Sequence, residues 1–227
     1  MHNGDRLTQA EFHRRYEAMP AGIKAELIGG MVHMPSPPRM PHKRSHGLLA
    51  GVLVLYEEAT PGTEMAGEGT VILGSGSEPE PDLQLRLLPE YGGRSRVNDE
   101  GYLVGPPELL IEVAHSSEAI DLHAKRADYT KAGVLEYLVL LIREGGLRAF
   151  DLAANREIEA GADGAYRSKM FPGLWIDAAA AVGGDRRRLL SVLRKGIRSS
   201  EHKSFVRRLA TAVELPQSPK RKPRRRK

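Results

Sequence analysis

The sequence predicts an α/β or α+β fold with helices and a mixed β-sheet, followed by a basic C-terminal extension that is helical and then disordered. Three observations carry this. Short apolar stretches with strand character are interleaved with stretches of helical period, the combination that builds a helix-covered sheet. Two pairs of apolar stretches flank Gly-Gly, a favoured hairpin turn, so part of the β-structure is antiparallel. Charge is unevenly spread. The 227 residues carry a net +5, but from Arg186 onward 16 Lys+Arg face only Glu201 and Glu214, a net of +14 that leaves residues 1–185 at −9.

Residues 6–18 predict a helix, since Thr8 can cap it, Glu11 stands three residues later, and Phe12 and Tyr16 fall four apart. Glu26 to Met34 predicts a hairpin, with Leu27-Ile28 and Met31-Val32 flanking Gly29-Gly30. After the extended Pro35-Ser36-Pro37-Pro38, a helix over about 45–59 aligns Leu48, Leu49, Val52, Leu53 and Tyr56 in one stripe. Strands over 70–73 and 82–88 are separated by a Gly/Ser/Glu/Pro loop, and 89–107 is polar and Gly-rich with no usable period. Pro106-Pro107 stops that loop, and Glu108 to Ala114 reads as a buried strand. Ser116 or Ser117 caps a helix to about Ala132, which Gly133 ends. Val134–Ile142 and Leu147–Leu152 bracket Gly145-Gly146 as a second hairpin. The aromatic cluster Phe171 to Trp175 precedes an Ala-rich helix, and a basic helix is expected over about 187–213. Residues 216–227 have no apolar side chain beyond prolines, so that segment is expected to be disordered. The expected division is a domain at 1–185 and a basic extension at 186–227.

Composition excludes several classes. Hydrophobic residues at 41% and charged residues at 28% rule out a wholly disordered or collagen-like chain. The longest apolar candidate, Val134–Ile142, already contains Glu136, so no membrane span is expected. No apolar leader precedes Asp5, so no secretory signal is expected. Absent cysteine excludes disulfides, Cys-ligated zinc, iron–sulfur clusters and thiol nucleophiles, in keeping with a cytoplasmic protein. Phosphate-cradling glycine motifs are missing. His42 and His46 have zinc-protease spacing, but Lys43 stands where that motif needs Glu. Ser116-Ser117 lacks a nucleophile elbow and reads as a cap.

Glu112 is the most informative residue, because it interrupts an otherwise apolar strand. A buried carboxylate needs a cation, a hydrogen-bond partner or a raised pKa. From this segment alone, a strand-end Glu facing solvent or pairing with a structural Arg fits as well. Asp82 shares a strand face with Gln84 and Arg86, and Glu112 shares one with Leu110 and Ala114. Were those strands neighbours, the two carboxylates could converge on one ion, and in its absence one of them should titrate high. Lys125 stands four residues after Asp121 on the following helix. It is either half of a surface ion pair, worth only about 0.3–0.5 kcal/mol, or an ammonium that orients or deprotonates a water beside the carboxylates. Glu26 could add a fourth group or be an ordinary surface acid. His115, three residues after Glu112, reads as a loop histidine.

These pieces resemble a known family. Glu26-Leu27-Ile28-Gly29-Gly30-Met31, the prolines Pro35, Pro37 and Pro38, Pro81-Asp82, and Pro107-Glu108-Leu109-Leu110-Ile111-Glu112-Val113 occur in order. Asp121…Lys125…Tyr129…Gly133-Val134-Leu135-Glu136-Tyr137 and Phe171-Pro172-Gly173-Leu174 follow. Over about residues 8–182 the chain resembles the Uma-type putative restriction endonuclease family of the PD-(D/E)XK nuclease superfamily. The resemblance implies a restriction-endonuclease-like sheet and a bacterial, cytoplasmic protein. It also implies catalytic roles for Glu26, Asp82, Glu112 and Lys125. The usual motif places its lysine two residues after the Glu, where this chain has Ala114; the family resemblance points to Lys125 on the next helix instead. The chain departs from the family's pattern at Gly29, Met31, Ala114-His115, Leu138 and Leu141-Ile142.

The reading that results is a metal-dependent endonuclease hydrolysing DNA phosphodiesters. Asp82 and Glu112 hold Mg²⁺, with the Val113 carbonyl completing the protein ligands; Lys125 positions the water, and Glu26 serves a second ion or its waters. Arg221, Arg224, Arg225 and Arg226 in the tail bind DNA nonspecifically by counterion release. The resemblance also implies a possible homodimer, and no membrane partner is expected. The competing reading is a catalytically inactive nucleic-acid-binding protein that retains the nuclease fold. A third is an interaction module whose tail meets an acidic protein or membrane surface.

Overall fold

The computed structural model of the chain describes residues 1–214; the expected tail at 216–227, with Arg221, Arg224, Arg225 and Arg226, lies outside the described residues. The chain opens with α1 (Gln9–Glu17), capped by Thr8, whose hydroxyl accepts from the Glu11 backbone N–H at 3.3 Å. β1 (Glu26–Ile28) and β2 (Met31–His33) form the expected hairpin. Ile28 pairs with Met31 across Gly29 and Gly30, at φ +56° and +78°, the left-handed pair a two-residue turn requires. α2 (Met40–Glu58) starts five residues before the expected position, because Pro41 fits a first helical turn, where its missing N–H is no loss.

β3 (Thr63–Gly67), unforeseen from the sequence, comes next, then β4 (Val71–Ile72) and β5 (Leu83–Leu87). The region without readable period holds β6 (Arg96–Val97) and β7 (Leu103–Val104), which join β4 in a small three-stranded sheet. β8 (Leu109–Ala114) leads to a π-helical turn (Ile120–Lys125) and α3 (Arg126–Ala132), ended by Gly133 at φ +89° as expected. β9 (Glu136–Leu141) and β10 (Gly146–Asp151) form the second hairpin, followed by β11 (Arg156–Glu157). A ribbon of β12 (Ala165–Arg167) and β13 (Trp175–Asp177) brackets the aromatic cluster. α4 (Ala178–Gly183), α5 (Arg186–Ile197) and α6 (Ser200–Glu214) complete the described chain.

The central sheet has the order β11-β10-β9-β8-β5-β3 and is mixed, as expected. β8 and β9 run parallel, joined through the π-turn and α3, and the other pairs are antiparallel. Alternation along the strands divides two cores. Leu83, Leu85, Leu109, Ile111, Leu138 and Leu140 pack against α2, α4, α5 and α6, while Leu110, Ala114, Val139 and Tyr137 pack against Tyr129 of α3 and Phe150. Glu112 belongs to the second face.

The basic helix expected over 187–213 is two helices. Ser199 interrupts it, and its hydroxyl accepts the His202 N–H at 3.2 Å to start α6. Leu189, Leu193, Phe205 and Leu209 of these helices lie in the main core. Gly196 lets α5 approach the loop before β13 so closely that a Cβ there would stand 2.2 Å from the Gly173 carbonyl oxygen. The change of charge at residue 185 therefore does not coincide with a gap in packing. A chain ended after residue 185 should lose cooperative unfolding, since four core side chains at roughly 1.5–3 kcal/mol each approach the net stability of a domain. A chain ended after residue 215 should keep its stability within about 0.5 kcal/mol. Calorimetry of both checks the pair, and a sharp native-like transition in the shorter one would contradict the shared core.

Candidate active site

The site is built where the first hairpin meets the centre of the sheet and the π-turn. Every residue of β8 is buried, Glu112 included at 3% exposure. Glu112 Oε1 accepts from Lys125 Nζ at 3.0 Å and from the Tyr129 hydroxyl at 2.9 Å. Lys125 reaches back to the hairpin, with Nζ 2.9 Å from Glu26 Oε1, and lies 3.9 Å from Asp121 Oδ1 within its own turn. The acids are themselves held. Glu26 Oε1 accepts the Glu80 N–H at 2.8 Å, Asp121 Oδ2 accepts the Ser117 hydroxyl at 2.6 Å, and the Asp121 carbonyl accepts from Tyr137 at 3.0 Å.

Asp82 precedes β5, whose antiparallel register with β8 pairs Leu83 with Ile111; one step further sets Asp82 opposite Glu112. Asp82 thus stands at the start of the strand beside β8, across from Glu112. The Asp82 carboxylate accepts the Val113 N–H at 2.8 Å, beside Glu112 in the chain, and meets His42 Nε2 at 3.1–3.2 Å. His46 donates Nε2–H to the Asp82 carbonyl at 2.9 Å. The histidine pair that fails as a zinc motif is therefore an Asp82 clamp on α2.

Electrostatics separate the acids. Burial pushes Glu112 well above the usual carboxylate range; Lys125 pulls it down, and Asp121, Asp82 and Glu26 push it further up. Burial likewise lifts Asp121 to about 6, against Lys125 and the Ser117 hydroxyl, with Glu26 and Asp82 adding to the rise. Burial works to raise Asp82 too, but the hydrogen bond and charge of His42 and the Val113 N–H outweigh it and hold that carboxyl low. Of the Asp82–Glu112 pair, one titrates high and one low. Lys125 is driven well above its ordinary value because Glu112, Glu26 and Asp121 overcome the cost of its burial. Four acids near one buried lysine form a poor stabilising device, since desolvation consumes most of the attraction. Such perturbed clusters mark functional sites.

Asp121, His42, Tyr129 and Ser117 were not singled out as site residues. The spacing 121–125–129 places three of the groups on one side of the helix after β8, and that was the available signal. His42 meets Asp82 across 40 residues and left none.

A solved structure shares this fold. The crystal structure of a putative nuclease belonging to DUF820 from Anabaena variabilis ATCC 29413 is similar at 13% identity, covering 74% of this chain and 97% of that one, with a TM-score of 0.55. That likeness concerns the fold, a mixed α/β sheet flanked by helices. The chain also matches the model of the Uma2 family, described as putative restriction endonuclease, over residues 9–179, and it belongs to that family. Family and fold together define a restriction-endonuclease-like nuclease. No curated protein matches the chain. No helix among the described residues is long and apolar enough to cross a membrane.

Restriction-endonuclease-like nucleases generally use divalent metals. The donors here fit such an ion. They are carboxylate oxygens in excess over Lys125, the hard and negative environment that suits Mg²⁺. Among the described residues no three acidic or histidine side chains are gathered as a cage, and Mg²⁺ needs none, since it is held through one or two carboxylates with waters and phosphate oxygens.

The titration of Asp121 gives a test without divalent ions. A carboxyl whose folded pKa is raised adds stability below its unfolded value, near 3.8, and loses it as pH climbs through about 6. Asp121→Asn keeps an oxygen for Ser117 and removes that loss. Chemical denaturation in EDTA should show the variant gaining on the wild type by on the order of 1–3 kcal/mol between pH 4 and pH 7. A pH-independent difference would show that Asp121 is not held in this environment.

Proposed function

We propose that the chain is a divalent-metal-dependent endonuclease acting on DNA. The observation that carries this reading is the meeting of Glu26, Glu112 and Lys125, with Asp82 set across from Glu112 at the start of β5 and bonded to the Val113 N–H. Asp82 and Glu112 are the residues that would hold Mg²⁺, with the Val113 carbonyl beside them. The ion would polarise the scissile phosphate and make a bound water acidic enough to attack.

The chain's own groups do the rest. Asp82, kept ionised by His42 and the Val113 N–H, presents a charged ligand at neutral pH. Glu112 is oriented by the Tyr129 hydroxyl and by Lys125, so its carboxylate cannot rotate away. Lys125 stays protonated against three acids and offers N–H donors to the attacking water or to charge building on the phosphate. Glu26, fixed by the Glu80 N–H, keeps Lys125 in place. The basic extension from Arg186 onward supplies sequence-independent attraction to the phosphate backbone.

Nicking of supercoiled plasmid tests the reading. Wild type should nick with Mg²⁺ and not with EDTA. Glu112→Gln, which keeps an oxygen for Lys125 and Tyr129, should cut at least about 100-fold more slowly while binding DNA as before. Cleavage that persists in EDTA or in Glu112→Gln would remove these residues from the chemistry. DNA binding without cleavage in the wild type would select the inactive nucleic-acid-binding protein.

A further inference from the structure

The same sheet face that presents Glu112 carries a second feature two residues along β5. Gln84 is 5% exposed, yet its Oε1 is buried without a hydrogen-bond partner. A buried, unspent amide in a folded protein calls for a ligand or an explanation. The amide lines a cavity of about 250 Å³. A 150 Å³ cavity already accepts benzene, so this one has room for a larger planar ring.

The walls say what kind of ring. Arg86 donates Nε and Nη2 to Glu64 Oε1 at 2.9 and 2.8 Å and Nη1 to the Ser95 carbonyl at 3.2 Å, so the charge in this cavity is internally paired. That leaves no free cation for a phosphate and no surplus carboxylate for a metal. Ala66, directly across from Gln84 on β3, is small enough to leave the space open. Val97, Leu103 and the Tyr102 ring supply apolar and aromatic surface. At Gly69 a Cβ would stand 3.4 Å from Gln84 Nε2, so a side chain there would touch the donor end of the amide. The cavity therefore suits a neutral, flat ligand with a donor and an acceptor on one edge.

We infer that this cavity receives a nucleobase of the nucleic-acid substrate, adenine by preference, read by the Gln84 amide. Adenine, with its N6–H donor beside the N7 acceptor, is the base that a glutamine amide characteristically pairs with. An unstacked base held between apolar and aromatic walls follows the chemistry of extruded-base pockets. Gln84 lies two strand residues from Asp82, roughly 7 Å, which corresponds to a nucleotide one or two removed from the scissile phosphate. The inference rests on the nuclease reading of the Glu112 site and deepens it by assigning a specificity residue.

The test sequences the ends produced when wild type, Gln84→Ala and Gly69→Ala digest a randomised DNA pool with Mg²⁺. Wild type should enrich adenine about 5- to 100-fold at one fixed position near the cut, and both variants should lose the enrichment while still cutting. Absence of base preference in the wild type, or an unchanged preference in Gln84→Ala, would overturn the inference. A chain that cuts nothing would instead defeat the nuclease reading, and a cleavage-free measurement then decides the pocket. Single-stranded oligothymidine with one central adenine, titrated in EDTA, should bind wild type more tightly than the all-thymine strand, and Gln84→Ala should bind the two equally. Equal affinity of wild type for the two strands would mean that the cavity reads no base.

Discussion

One buried ammonium organises this molecule. Lys125 stands within hydrogen-bonding distance of a carboxylate from the β1–β2 hairpin and another from the middle of the central sheet, with a third acid in its own turn. The hairpin is outside the six-stranded sheet, so the Lys125–Glu26 pair and the short Leu27–Glu78 backbone bridge fasten it to the rest. Removing the lysine would leave three buried acids facing one another, a larger penalty than the pair's own attraction. The π-turn that carries Lys125 belongs to the same constraint. Such turns are rare and concentrate at functional sites, and this one holds Asp121 and Lys125 buried together against β8.

The sheet supplies rigidity where the site needs it. β8 is central, paired on both edges and covered on both faces, so Glu112 has little freedom beyond its own rotamers. Asp82 sits at the mouth of the neighbouring strand and is clamped from the opposite side by α2 through His42 and His46. Two carboxyls shifted in opposite directions result, Asp82 low and Glu112 high. The charge left over is negative, which agrees with the proposed cation site. The basic helices balance this at the level of the whole chain while burying their apolar sides in the same core.

Much of this was legible in the sequence. Gly29-Gly30, Gly133 and the run from Leu109 to Ala114 announce a turn, a helix end and a central strand through local chemistry alone. Alternation along 82–86 and 110–114 gave the face of Asp82 and of Glu112, while the neighbouring of their segments shows only in the register of β5 with β8. Other features depend on tertiary context. Thr63–Gly67 has two glycine-bounded ends and no apolar alternation, and it is a strand because β5 offers it an edge. Asp121 and Lys125 have the spacing of a surface ion pair; only the packing of β8 and the hairpin over them makes the pair buried. His42 reads as half of a broken zinc motif until the fold brings Asp82 to it. The helix break at Ser199 hid inside a continuous amphipathic pattern.

The central claim is that Asp82 and Glu112 form one cation site beside a lysine that does not leave. Crystals grown without divalent ions and soaked in millimolar Mn²⁺ would show it in anomalous difference density. The account predicts a single strong peak between the Asp82 and Glu112 carboxylates, near the Val113 carbonyl, with Lys125 still paired to Glu26. A peak held by other residues, or none at that position, would contradict it.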